Sequence, residues 1–261
     1  METSMRGGKL IALSIISAFI ADVGLAQSQD GEDLVIYAAA AVKTSLTEIA
    51  ANHERATGRD VTVIFDSAGA TQRNYLADPE ADLLITTPAR IEQAQNAGSL
   101  SEGTTIVLGT TVAGIAVPPG AAKPNISNAE NLRAALLAAQ RIAFSDPSRG
   151  ATVGNHFMTV IAALGIEDEV LAKATLAPNG IETMRLVLEE GVDIGITQSV
   201  EILQANRDAL AGPFPPEFEL ATAYALWHRD DLAPEARDFV AVLLEPESRA
   251  IIAEEGLAPP R

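Results

Sequence analysis

The residues best placed to do chemistry sit where an apolar run gives way to small and polar side chains. Three such turns stand out: Ala38-Ala39-Ala40-Ala41, Asp66-Ser67-Ala68-Gly69 and Asp146-Pro147-Ser148-Arg149-Gly150-Ala151-Thr152. Each follows a strand-like run and precedes a helix-like one. The start of a helix presents unpaired N–H groups and the positive end of the helix dipole, so a turn of small residues there suits an anion. Alternatively, the alanines pack where strand and helix approach closely. Ser67 can donate a hydroxyl hydrogen bond, and Gly69 lets a ligand come near the backbone; Ser67 can equally be the N-cap of the following helix. Arg149 can grip a carboxylate or oxyanion through two parallel hydrogen bonds, or it can pair in solvent with a nearby acid. Gln198 ends the buried run Ile194-Gly195-Ile196-Thr197-Gln198, at the strand end where open α/β sheets place ligands.

The same residues admit a catalytic reading. Ser67 as a nucleophile would need His156 as base and Asp146 as orienter. A nucleophile elbow carries glycine two residues before the serine, whereas Phe65 stands there, and no spacing rule joins the three. His156 on a helix reads as a packed side chain. Tyr224 and Trp227 read as packing residues, and Lys43 points to solvent. Three small-residue turns therefore point to a binding cleft rather than a serine hydrolase.

Composition narrows the classes. Cysteine is absent and histidine occurs only at positions 53, 156 and 228, so neither a thiolate site nor a zinc site is expected. No cofactor is expected either. The net charge of −17 makes nucleic acid and anionic membranes poor partners. A small anion would need a local site strong enough to overcome that field. Arg6 and Lys9 precede the apolar run 10–21, and Gly24-Leu25-Ala26 offers small residues for cleavage. The run is shorter than the ~20 residues that span a bilayer, so residues 1–26 read as a cleaved export signal. The mature chain should be a soluble periplasmic monomer.

Behind these turns the chain alternates strand and helix patterns, as βαβ units do. Strands are expected over 34–38, 61–65, 82–85, 142–144 and 192–197. Helices are expected over 46–56, 70–76, 90–96, 152–164 and 181–190. Capping boxes at Ser45–Glu48 and Ser127–Glu130 predict helix starts. The run 104–117 is longer and β-rich, with Gly109 and Gly114 inside it, and is suited to pass from one lobe to another. A second long strand over 219–226 follows the break at 212–216, and helices over 234–244 and 246–255 return to the first lobe. This organisation predicts an α/β protein with lobe 1 at 27–112 and 218–261 and lobe 2 at 113–217.

The opening strand, alanine run and helix, together with Phe65 to Gly69, Ala81-Asp82-Leu83-Leu84-Ile85, Ala116-Val117-Pro118, Asp146-Pro147 and Val192-Asp193-Ile194-Gly195-Ile196, resemble the periplasmic molybdate-binding proteins of ABC importers. The likeness covers nearly the whole mature chain. It implies a two-lobed type 2 periplasmic binding protein: each lobe a mainly parallel sheet flanked by helices, two crossing segments, and closure like a clam shell. It implies no enzymatic activity, and it implies an inner-membrane permease as partner and a small oxyanion as solute. The family's two contact serines fall on Ala41 and Ala68, and its other contacts fall near Thr152, Ile181 and Gln198, the last in place of the usual tyrosine. Two missing hydroxyl donors would cost about 1.5–3 kcal/mol each at a charged ligand. Either Ser67, Thr152 or Arg149 compensates, or the ligand is an organic carboxylate.

Overall fold

The computed structural model describes residues 33–260, so the expected export segment 1–26 lies outside the described residues. In chain order the elements are β1 (Leu34–Ala39), α1 (Lys43–Thr57), β2 (Val61–Asp66), α2 (Ala68–Ala77), β3 (Leu83–Thr86), α3 (Pro88–Asn96), β4 (Thr104–Ala116), α4 (Ala129–Ala138), β5 (Ile142–Ser145), α5 (Thr152–Ala163), α6 (Glu167–Leu171), β6 (Ala174–Ala177), α7 (Gly180–Glu189), β7 (Ile194–Gln198), α8 (Ser199–Ala205), β8 (Leu210–Pro213), β9 (Ala221–His228), α9 (Pro234–Leu244) and α10 (Pro246–Glu254). The alternation expected from the sequence is present nearly throughout.

The strands form a mixed, helix-flanked sheet in the order β2-β1-β3-β9-β4-β7-β5-β6, with β8 paired to β4. Pairing is parallel at the two flanks, β2-β1-β3 and β7-β5-β6. It is antiparallel through the middle, where β9 meets β3 and β4, and β4 meets β7 and β8. The reason is β4 itself. Its residues Thr104 to Val112 pair with β9, whereas Ala113 to Ala116 pair with β7. One long strand thus serves both flanks. Its ladder with β9 shifts register between Val107 and Gly109. Gly109 is required there: a Cβ would lie 2.9 Å from the carbonyl oxygen of Ala258, whose segment docks on Thr110.

Strand residues alternate between the sheet's two faces, and four apolar clusters result. On the β1–β3 side, Ile36, Leu83, Ile85 and Leu226 pack against Ile49 of α1 and Phe239 of α9. The opposite face puts Tyr37, Leu84 and Trp227 against Tyr75 of α2 and Ile91 of α3. On the β5–β7 side, Ile115, Phe144 and Ile196 pack on Leu132 of α4 and Phe157 of α5. Ala116 and Ala143 meet Met184 and Val187 of α7 and Ile202 of α8 on the other face. The last two helices pack against α1 and β4, as the sequence suggested.

Both predicted capping boxes are displaced. The chain enters α1 through a 3-10 turn at Ala40–Val42, so Ser45 lies inside the helix and its hydroxyl bonds the Val42 carbonyl at 3.2 Å. The alanine run itself makes the turn, which starts the helix early. At α4 the cap is Asn128, whose side chain accepts from Asn131 N–H at 2.9 Å. Asparagine caps as well as serine does, and the frame moves by one residue.

Candidate functional site

The site is assembled from helix beginnings. Strand β1 ends at Ala39 and turns directly into the alanine 3-10 turn; β2 ends at Asp66 and delivers Ser67 to the N-cap of α2. On the other flank β5 leads to Asp146, which caps a 3-10 turn at Pro147–Arg149 by accepting from Ser148 N–H at 2.8 Å. Gly150, at φ 78°, reverses the chain so that α5 begins at Thr152. Ala39, Ser67 and Ala151, the residues preceding the first helical ones, make no side-chain cap. The amides at these starts thus have no side-chain acceptor, which is what an anion would supply.

These starts converge. Ala39, Ala40, Ser67 and Ala68 from one flank face Ala151, Thr152 and Val153 from the other across a small cavity, with Gly180 at the head of α7 and Gln198 at the head of α8 closing it. The cavity has a volume of about 20 Å³. That is room for one compact anionic group. A neighbouring chamber of about 140 Å³ shares Glu201 as a wall and is lined by Lys43, Thr44, Ile181 and Gln204.

The two flanks are joined over the cavity. Arg149 Nη2 lies 2.7 Å from Asp66 Oδ2, and Arg149 Nε donates to the Pro178 carbonyl at 3.2 Å. The Arg149 carbonyl accepts from Ser67 Oγ at 3.3 Å and from Arg73 at 3.2 Å, and the Gly150 carbonyl accepts from Arg90 at 3.1 Å. Gly69 makes this approach possible: a Cβ there would lie 2.7 Å from Gly150 Cα.

Two buried titratable groups face the cavity. Glu201 Oε2 accepts from the Gln198 N–H at 3.1 Å and from the Thr197 hydroxyl. Burial pushes its carboxyl up from the ordinary glutamate range, against those two hydrogen bonds. Tyr224 OH accepts from Gln198 Nε2 at 3.2 Å. Burial, and then the nearby Glu201, push its phenol up, so it stays protonated and keeps its own hydrogen to give.

Of the residues expected from the sequence, Ser67, Ala68, Thr152 and Gln198 line the cavity. Ala41 lies one step beyond its wall, buried, with its carbonyl accepting from Gln204 at 3.1 Å. Ile181 lines the neighbouring chamber instead. Arg149 takes the ion-paired alternative. The hydrolase trio is not assembled: Ser67 donates to Arg149, Asp146 caps Ser148, and His156 Nε2 bonds the Phe218 carbonyl at 2.8 Å. The sequence did not single out Glu201, and Tyr224 reads there as a packing residue. The only signal for Glu201 was its place three residues after Gln198 at a helix start; Tyr224 carried none. Among the described residues no cluster of three or more histidine or acidic side chains could hold a metal ion.

Comparison with known proteins fits this architecture. The periplasmic molybdate-binding protein of Azotobacter vinelandii superposes with a TM-score of 0.70 at 19% identity, covering 88% of this chain and 100% of that one. A putative phosphate ABC transporter substrate-binding protein with bound phosphate from Clostridium perfringens gives 0.65 at 10% identity, with coverages of 88% and 100%. PEB3 bound to L-phospholactate, a protein of Campylobacter jejuni, gives 0.63 at 18% identity, covering 87% and 100%. In sequence, the chain is 22% identical over 259 residues to an aconitate isomerase from a Pseudomonas species, covering 96% of this chain and 97% of that protein. The model of one family, the bacterial extracellular solute-binding proteins, matches residues 34–258, and this chain belongs to that family.

Proposed function

We propose that this protein is the exported solute receptor of an ABC importer and that it carries a small organic acid by holding one compact anionic group. The observation that carries this reading is the convergence of uncapped helix starts from both flanks on one small cavity. Backbone N–H groups and helix dipoles at Ala40, Ala68 and Thr152 supply the positive potential that the chain's net charge of −17 lacks. The two flanks act as lobes, 27–112 with 218–261 and 113–217, hinged where β4 and the segment before β9 cross, and close on the guest. A membrane permease then receives it.

Organic acids are favoured over molybdate for two reasons. Ala68 lines the cavity where the resemblance to the molybdate-binding proteins implies a serine, so the cradle lacks that hydroxyl donor. The chamber beyond Glu201 holds Lys43 and has space for the remainder of a longer ligand. The neighbours' names, which include a phosphorylated organic acid and aconitate, support the same class. The test is a thermal-shift screen of molybdate, tungstate, sulfate, phosphate and small mono-, di- and tricarboxylates. A ligand at about 100 times its Kd adds ~2.7 kcal/mol of stability. Shifts from carboxylates but not from molybdate support the proposal; shifts from molybdate and tungstate alone reject it. A second reading, turnover of an organic acid in the same cleft, is favoured by the relative named aconitate isomerase. Incubation with cis- and trans-aconitate, followed by chromatography, tests it: interconversion would make the protein an enzyme.

A further inference from the structure

An anion cradle is an unfavourable place for a charged carboxylate, yet Glu201 lies in its wall. Glu201 is 8% exposed and lines both the cavity and the neighbouring chamber. Among the described residues no lysine, arginine or histidine forms an ion pair with it. The head of α7 packs tightly on it: a Cβ on Gly180 would lie 1.9 Å from Glu201 Oε2. The carboxyl is thus fixed by α7, by Thr197 and Gln198 of β7, and by its own helix.

The other titratable groups facing it are few. Tyr224 of β9 is a protonated phenol. Lys43 of α1 lines the far chamber. Asp66, across the cavity, is balanced by Arg149. Burial already favours the uncharged carboxyl. A bound anion would add a second negative charge in the small cavity whose wall Glu201 forms, and like charges so close do not both remain ionised.

Resting on the anion-receptor reading above, we infer that Glu201 stands in the cradle as a neutral carboxylic acid that donates its O–H to the bound anion, so that the guest and one proton occupy the site together. The consequence is a proton-linked receptor. Affinity for a fully ionised guest falls by up to tenfold per pH unit above the titration of Glu201 in the ligand-free protein. Glu201→Gln keeps the shape and a donor but cannot titrate, so its affinity runs level with pH.

The experiment has two arms, both on the exported chain. Carboxyl ¹³C NMR of the ligand-free protein identifies the Glu201 signal as the one missing from E201Q. The signal is expected to titrate above the ordinary glutamate value of about 4.3; titration in the ordinary range overturns the inference whatever binds. Calorimetry with sulfate, molybdate and trans-aconitate, carried across the pH at which that signal titrates and kept where each guest stays fully ionised, gives the second arm. The affinity of any guest that binds should begin to fall where the ¹³C signal titrates, and only in the wild type. A level wild-type affinity through that pH, or the same fall in E201Q, refutes the donor role. If none of the three binds either protein, the anion-receptor reading falls, and the donor role with it.

Discussion

Gly69→Ala separates binding from folding. Gly69 is the second residue of α2 and has ordinary helical backbone geometry, so alanine suits it and contributes up to ~1 kcal/mol of helix stability. The three atoms nearest the added methyl all belong to the facing turn. The methyl would lie 2.7 Å from Gly150 Cα, 2.8 Å from the Arg149 carbonyl oxygen and 2.9 Å from that of Gly150. Carbon atoms attract only from ~3.5 Å outward, so the facing turn must withdraw by about 0.8 Å. Overpacking of that kind costs about 1–3 kcal/mol. If the flanks hinge as proposed, the cost falls on the closed, liganded form alone, and affinity should drop by roughly 5- to 150-fold at 1.4 kcal/mol per factor of ten. Isothermal titration of the ligand found in the screen, beside urea unfolding of the ligand-free protein, reads both quantities. Unchanged affinity combined with a stability loss of about 1–3 kcal/mol would refute the reasoning, because it would mean the flanks stay packed together whether or not a ligand is present.

Three further outcomes are expected. Arg149→Ala removes a partly exposed pair with Asp66; such pairs contribute about 0–1 kcal/mol, so affinity should change by less than about fivefold, and a loss beyond a hundredfold would show that the guanidinium touches the guest. Phe157→Ala empties a site where the ring meets Phe144 at 5.0 Å between centroids and should cost about 3–5 kcal/mol in urea unfolding; a cost below about 1 kcal/mol would contradict the packing. His53 is buried edge-on to Phe239, and burial, then Arg59, hold its imidazole below the usual value. A depressed histidine binds fewer protons folded than unfolded, so its contribution is complete above the unfolded value of about 6.5 and is lost as pH falls through the folded one. The loss of melting temperature on acidification should therefore be smaller in His53→Phe than in the wild type.

Much of the fold was legible because patterns of period two and glycine stops are local. Gly58, Gly98 and Gly165 end their helices at positive φ where the sequence placed them. The run 104–117 was readable as one long strand from its length and β-rich residues. The antiparallel centre was not readable, because strand order depends on which distant strands β4 meets and not on β4's own residues. Ser67, Ala68, Thr152 and Gln198, which line the cavity, were legible because each sits at a strand-to-helix turn. Ala41 lies just past the cavity wall formed by Ala39 and Ala40, because the alanine run makes a 3-10 turn that the sequence does not reveal. Arg149 offered two partners, and only the fold brings Asp66 within 2.7 Å of it. Tyr224 reads as a packing residue because a strand tyrosine in an apolar run looks like any core residue; its hydroxyl gains a partner only once Gln198 arrives from another strand.

The central claim is that backbone amides at facing helix starts hold an anion, and amides can be observed directly. A ¹H–¹⁵N titration with the acid that gives the largest thermal shift should move the amide signals of Ala40, Ala68, Thr152 and Gly180 together and saturably, with proton shifts downfield. The larger groove of about 490 Å³ between α1 and the pair α9 and α10, lined by Asn52, His53 and Ser248, should stay silent. Saturable shifts confined to that groove, or to one flank only, would contradict the shared cradle.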